Sequence, residues 1–220
     1  MSEPGYVGSL RRSSQSRARA DRPRVFSMNG RSWDLLPSVF PPVFSPSTEA
    51  FLSLLDFPVG GSFLEMGCGT GVIAVSAALA GCARVVATDV NPEAARNASL
   101  NAARHGVTVE CVSGDLFTGV PPADRFDVVF WHSNFVPAPT DMPGLDMHDL
   151  AYVDPGYRAH RGYVREAPRW LTEDGMVLLG FSSRGDLAWL RELGVSHDVV
   201  RTQVVAERDR EVEYQLLRLR

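Results

Sequence analysis

Apolar residues fall into two kinds of run along this chain, and the two kinds alternate. The short stretches SFLEMG (62–67), RVVATDV (84–90), VTVECV (107–112), FDVVFWHS (126–133) and MVLLGFS (176–182) are apolar with little strict alternation, as in strands buried on both faces. Between them, GVIAVSAALA (71–80) is apolar nearly all round and predicts a buried helix. Asn91 and Pro92 supply a cap and a first helical position for a helix running to about Arg104, where His105-Gly106 stops it. A helix from about Tyr157 to Leu171, with Pro168 near its last turn, and a shorter one over Asp186–Leu193 flank the fifth strand. Strand and helix in alternation imply a parallel sheet covered on both faces. The end of the chain differs: HDVVRTQVVA, the charged turn ERDRE and VEYQLLRLR predict an antiparallel hairpin.

Two segments break the alternation. Residues 25–46, VFSMNGRSWDLLPSVFPPVFSP, hold too much proline for a central strand or a helix interior and are expected to lie over the domain as a flap. Their aromatic residues also offer a dimer contact. Ser47 and Thr48 are expected to cap a short helix reaching Asp56. Residues 137–156 are rich in proline and acids and read as a loop projecting from the strand ends.

At 220 residues the chain has room for one ordinary domain with a substantial core, assigned here to 25–220. No apolar run approaches the roughly 20 residues that cross a bilayer. All 22 basic residues are Arg, and residues 1–24 hold six of them against Glu3 and Asp21. That segment, SLRRSSQSRARADRPR at its centre, lacks the apolar stretch of a secretory signal and is expected to be a disordered basic leader. The remainder is acidic, with 16 Arg against 24 acids, which argues against a large nucleic-acid surface. Cys68, Cys82 and Cys111 are odd in number and widely spaced, so neither a disulfide framework nor a zinc site is indicated. A reducing, cytoplasmic setting is expected.

The candidate chemistry starts at LEMGCGTG (64–71), a glycine loop between a strand and a helix. Gly67, Gly69 and Gly71 let the backbone turn sharply and approach a ligand, with a helix N-terminus behind it. Residues 69–74 also satisfy the dinucleotide pattern G-x-G-x-x-G/A, and Asp89 stands where a ribose-binding acid would follow. Three features weigh against a nicotinamide reading. Glu65, just ahead of the first glycine, suits a cationic amino group and would repel a pyrophosphate. Asp115 in SGDLF (113–117) ends the third strand, where it can accept from an adenine amino group. The fourth strand ends in the polar cluster Trp131, His132, Asn134, and all these positions fall at the carboxyl ends of adjacent parallel strands.

With these motifs the sequence resembles the class I S-adenosylmethionine-dependent methyltransferases over about residues 40–220. The resemblance implies an α/β fold: a seven-stranded Rossmann-like sheet, mostly parallel with a C-terminal antiparallel hairpin, and helices on both faces. It implies S-adenosyl-L-methionine as cofactor, with Glu65 and the Gly67–Cys68–Gly69–Gly71 loop at the methionine part, Asp89 and Val90 at the ribose, Asp115 and Leu116 at the adenine, and Asn134 beside the methyl. Within that class VFPPVFSPSTEAFL, NPEAARNASLNAARHG and the Asn closing the fourth strand resemble the release-factor glutamine methyltransferases and related small N-methyltransferases. Their fourth strand ends in Asn-Pro-Pro-Tyr, whose Asn side chain and a neighbouring carbonyl accept from the substrate nitrogen. Here the stretch is Asn134-Phe135-Val136-Pro137, which keeps the Asn and changes the carbonyl and aromatic positions.

The expected activity is N-methylation of a small-molecule or peptide-like amide or amine, with Asn134, His132 and Phe135 as the catalytic set and no metal. The alternatives are O-methylation by a histidine base, drawn from His132, His148 and His160, and a cofactor-binding scaffold without turnover. Each feature also has a plain structural account: the acids as helix caps, Asn134 as a turn residue, and Arg158, Arg161, Arg165 and Arg169 as a solvated helix face. Asp141, Asp146 and Asp149 read as a polar surface loop more readily than as a magnesium site.

Overall fold

A computed structural model describes residues 5–207 and 210–220. In chain order the elements are α1 (Gly5–Ala18), β1 (Val25–Met28), β2 (Arg31–Asp34), α2 (Ser47–Leu54), β3 (Ser62–Met66), α3 (Val72–Leu79), β4 (Arg84–Asp89), α4 (Pro92–Arg104), β5 (Glu110–Ser113), β6 (Phe126–His132), β7 (Pro137–Ala138), β8 (Asp154–Pro155), α5 (Arg158–Glu166), β9 (Leu171–Ser182), α6 (Ala188–Glu192), β10 (His197–Glu207) and β11 (Arg210–Leu219). Seven strands form one sheet in the order β10-β11-β9-β6-β3-β4-β5. The five adjacent strands from β9 to β5 in that order are parallel, and β11 joins β9 antiparallel before pairing with β10. From β3 the chain first builds outward through β4 and β5, then returns to add β6 on the other side. The carboxyl ends of β3 and β6 therefore flank a topological switch point, where open α/β sheets have a crevice.

The buried apolar runs account for this order. Phe63 and Leu64 of β3, Val86 and Ala87 of β4, and Val129 and Phe130 of β6 are all buried, so neither face of the sheet centre meets water. α4 begins as its sequence indicates: the Asn91 side chain accepts from Glu93 N at 3.0 Å, with Pro92 in the first turn. Among the described residues no helix is long and apolar enough to cross a membrane.

Several expectations are corrected. Residues 5–18 of the expected disordered leader form α1, whose Ser9, Ser13 and Ser16 are buried. That helix has no apolar stripe; its small serines recur at helical spacing and pack against residues 146–152 through hydrogen bonds. The flap splits in two. Its first half is the β1–β2 hairpin, held by two buried asparagines of α4: Leu36 N donates to Asn97 Oδ1 at 2.8 Å and Asp34 N to Asn101 Oδ1 at 2.7 Å. Only its second half reaches the crevice. α2 starts after Pro46 without a side-chain cap, so Ser47 and Thr48 lie inside the helix. Pro168 ends α5 early, and a 3-10 turn over Ala167–Trp170 follows. The third strand starts at Glu110, three residues later than its apolar pattern suggested.

Candidate active site

The loop from β3 to α3 is built on left-handed backbone: φ is +62° at Gly67, +54° at Gly69 and +79° at Gly71. At Gly71 the requirement is also steric, since a Cβ there would lie 2.7 Å from both Cα and Cβ of Ala98 on α4. Gly69 has open space where a Cβ would stand, so its backbone is bare toward the crevice. Glu65, buried at the end of β3, accepts from Ala74 N at 2.8 Å in the first turn of α3. Asp89, at the end of β4, accepts from Gly69 N at 2.9 Å and Asn91 N at 2.8 Å. Both acids thus hold backbone amides, as the plain capping account requires, and retain lone pairs for a ligand. Burial lifts the Glu65 carboxyl well above the ordinary range. It lifts Asp89 to about 6 against the pull of its two amide donors.

These groups share one cavity of about 450 Å³. The β3, β4 and β5 ends contribute Glu65, Gly67, Cys68, Gly69, Asp89, Val90, Asp115 and Leu116, and β6 contributes Trp131, His132, Asn134 and Phe135. Gly71 stands behind this surface against α4 and is outside the lining. Asp115 is half-exposed, 3.9 Å from Arg158. Cys68 is buried, its amide donating to Thr88 O at 2.9 Å, and burial pushes its thiol well up, so it packs and does not react. Phe40, Pro41, Pro42 and Phe44 of the flap also line the cavity, as do residues 147–148 and 150–155.

The end of β6 turns at once. Val136 N donates to Asn134 O at 2.7 Å, and Phe135 between them takes φ +62°. This is a γ-turn, a conformation that costs a non-glycine residue energy. It fixes the Asn134 side chain over the crevice, where Nδ2 donates to Leu150 O at 2.7 Å and Val153 O at 2.9 Å. Those two carbonyls settle which end of the amide is nitrogen. The opposite atom, Oδ1, is buried and has no hydrogen-bond partner among the described residues. Phe135 itself packs inward against Phe51, His132 and Phe181, and its carbonyl accepts from Tyr157 OH at 2.7 Å.

The histidines are poorly suited to base catalysis. His132 lies against Phe51, ring centres 4.6 Å apart, and burial pushes its pKa down to about 3. His160 is buried with Nδ1 2.6 Å from Asp154 Oδ2, and burial outweighs that carboxylate in lowering its pKa. His148 lies 3.0 Å from Ser16 Oγ and is likewise depressed by burial. Asp146 and Asp149 bind α1, through Arg17 and through Ser13 Oγ at 2.6 Å to Asp149.

Two groups of lining residues escaped the sequence reading. Arg12, Gln15 and Ser16 of α1, with Arg19 just after it, close one side of the cavity, signalled in sequence only by the serine spacing. Arg184 after β9 and Glu207 at the end of β10 complete another side, and no local pattern marks them.

Comparison with known proteins agrees with this geometry. Residues 63–145 match a family described as a methyltransferase domain. A candidate protein N5-glutamine methyltransferase of Methanocaldococcus jannaschii is 29% identical over 150 residues, 65% of this chain and 74% of that protein. The release factor glutamine methyltransferase of Bordetella pertussis is 35% identical over 138 residues, 58% of this chain and 50% of that one, so the match spans half of that relative's length. A T. thermophilus 16S rRNA N2 methyltransferase, solved with S-adenosylmethionine and guanosine, shares the fold with a TM-score of 0.58 at 20% identity, over 88% of this chain and 49% of its own. The methyltransferase-domain match, the methyltransferase-named relatives and the fold together support a class I S-adenosylmethionine-dependent methyltransferase. Within that class the chain resembles the release-factor glutamine methyltransferase group.

Proposed function

We propose that the protein transfers a methyl group to a nitrogen of a peptide-like or small-molecule amide or amine, with Asn134 orienting that nitrogen. The observation that carries this reading is the buried Oδ1 of Asn134, partnerless among the described residues, in a residue of the cavity lining whose Nδ2 is pinned by Leu150 and Val153. A buried acceptor without a donor is costly, and a substrate N–H removes the cost. The names of the glutamine methyltransferase relatives support the same nitrogen chemistry. Three free cysteines are in keeping with a reducing compartment, so we place the reaction in the cytoplasm.

S-adenosylmethionine supplies an electrophilic methyl group when bound. The residues present suit it: Glu65 offers a carboxylate to an amino group, the bare backbone at Gly69 allows close approach, Asp89 offers lone pairs to ribose hydroxyls, and Asp115 beside Leu116 faces the adenine position. Asn134 Oδ1 accepts an N–H of the acceptor and turns the nitrogen lone pair toward the methyl. Such alignment, with water excluded by the flap and α1, supplies much of the acceleration that methyl transfer needs. Burial lowers the pKa of both histidines of the cavity lining, that of His132 to about 3, which weighs toward nitrogen over an oxygen acceptor that needs a histidine base.

Purified protein with methyl-labelled S-adenosylmethionine and a panel of carboxamides, amines, alcohols and carboxylic acids tests the reading. Methylated nitrogen is the expected product. An ester or ether product with a pH profile set by one histidine overturns it, and absence of any turnover alongside tight cofactor binding would support the scaffold instead.

A further inference from the structure

Arg184 and Glu207 stand on the cavity wall without a part in the chemistry described so far. Arg184 follows β9, the strand beside β6, and the register His132↔Gly180 brings both strands to the crevice together. Gly185 is pressed against the carbonyl of Phe135, so the chain after β9 packs directly on the turn that carries Asn134. The guanidinium is held by a relay: Arg184 Nη2 pairs with Glu207, and Glu207 Oε1 accepts from the hydroxyl of the buried Tyr214. The Arg184 side chain is 11% exposed, and its Nε is buried with no hydrogen-bond partner among the described residues.

Two residues of this one cavity's lining therefore each hold a buried polar atom without a partner among the described residues, an acceptor at Asn134 Oδ1 and a donor at Arg184 Nε. Burying either without a partner is unfavourable, and a molecule that presents an N–H to the first and an oxygen to the second relieves both. Glu207 already balances the guanidinium charge, so a second carboxylate would meet a neutral pair and a nearby negative group. A neutral carbonyl oxygen suits the remaining N–H.

We propose that Arg184 is a specificity-determining residue that donates its Nε–H to a carbonyl oxygen of the methyl acceptor, an inference that rests on the assignment of Asn134 to the acceptor nitrogen. Glu207 and Tyr214 position it.

The test uses the full chain with N-acetylglutamine methylamide, which carries a side-chain carbonyl, and N-acetylornithine methylamide, which carries a side-chain amine and no such carbonyl. Arg184→Lys keeps a cation for Glu207 and loses the Nε–H; Arg184→Met loses both. For the carboxamide, both variants are expected to raise KM about tenfold or more while kcat stays within about threefold. Binding of S-adenosylhomocysteine and turnover of the amine should be unaffected, which a general structural defect would not allow. An unchanged KM in Arg184→Lys overturns the proposal. If the carboxamide is not methylated at all, the reading of Asn134 as orienting an amide nitrogen fails, and Arg184 is judged separately by nuclear magnetic resonance. Its Nε–H signal, assigned by its loss in Arg184→Lys, should shift when the carboxamide is added to protein saturated with S-adenosylhomocysteine. A signal that stays in place overturns the proposal.

Discussion

Glu65 Oε2 accepts a hydrogen bond from Ala74 N at 2.8 Å, tying the end of β3 to the first turn of α3 across the glycine loop. Glu65 also belongs to the cavity lining, so beside this folding task we propose a binding task, and one substitution separates them. Glu65→Gln keeps an oxygen for Ala74 and removes the charge. Because burial already disfavours the ionised carboxyl, the melting temperature should hold or rise. Calorimetry should show affinity for S-adenosylhomocysteine falling about 10- to 100-fold, the range for a lost charge-assisted contact. Unchanged affinity would remove Glu65 from the cofactor site.

Asp89 gives a prediction in pH. Its folded pKa of about 6 lies above the ordinary aspartate value of 3.8, so the folded protein holds this proton more tightly than the unfolded chain. The group's contribution to stability is therefore fully present below the unfolded value and is lost as pH rises through about 6. Ribose hydroxyls donating to the carboxylate favour its ionised form, so binding at this pH expels a proton. The apparent enthalpy of S-adenosylhomocysteine binding should depend on the ionisation heat of the buffer near pH 6 and much less near pH 8. In Asp89→Asn that buffer dependence should shrink. If the variant retains it in full, Asp89 is not the group that titrates.

Gly69 and Gly71 should fail differently. Alanine at Gly71 meets Ala98 at 2.7 Å with φ at +79°, and a loss of roughly 2–4 kcal/mol is expected, seen as a lower melting temperature and poor soluble yield. Alanine at Gly69 meets open space and pays about 1–2 kcal/mol for its backbone conformation alone. Its methyl group, however, stands on the cavity floor. Gly69→Ala should fold and lose S-adenosylhomocysteine binding, which thermal shift with and without ligand would resolve.

The sheet was legible because buried parallel strands announce themselves as continuous apolar runs: β3, β4, β6 and the last hairpin lie within a few residues of their sequence positions. Glu65, Asp89 and the glycines were legible because a ligand-binding loop sets their spacing. α1 was not, since composition weighs net polarity and its stability comes from specific partners: Ser13 with Asp149, Ser16 with His148. Arg184 and Glu207 were hidden for a related reason. They are 23 residues apart in the chain and meet only when β10 folds back beyond β11. At Asn134 the turn reading held, and the γ-turn at Phe135 also sets the direction of the side chain on which the functional proposal rests.

If Asn134 orients the nucleophile as proposed, Asn134→Ala should leave S-adenosylhomocysteine affinity within about threefold and lower kcat about 100-fold or more. The side chain also ties Leu150 and Val153, so some loosening of residues 147–155 is expected. Asn134→Asp distinguishes the two effects. It keeps an acceptor for the substrate and sets a carboxylate against those carbonyls, so loop exchange should rise as much as in the alanine variant. If turnover falls no further than loop order explains, orientation of the nitrogen is not its main task.

The seam between α1 and residues 146–152 is polar throughout, and a polar seam opens more readily than an apolar one. Ser13 Oγ donates to Asp149 at 2.6 Å, Tyr152 OH donates to Ser16 Oγ at 2.8 Å, and Arg17 pairs with Asp146. Each neutral hydrogen bond contributes about 1 kcal/mol. Replacing Ser13 and Ser16 together by alanine should therefore raise hydrogen exchange over residues 5–18 about tenfold or more, while β3, β4 and β6 keep their protection. α1 also walls the cavity through Arg12, Gln15 and Ser16, so the variant should turn over bulkier acceptors relatively faster than the parent. Faster exchange in α1 with an unaltered acceptor profile would make the helix a cover with no influence on what enters.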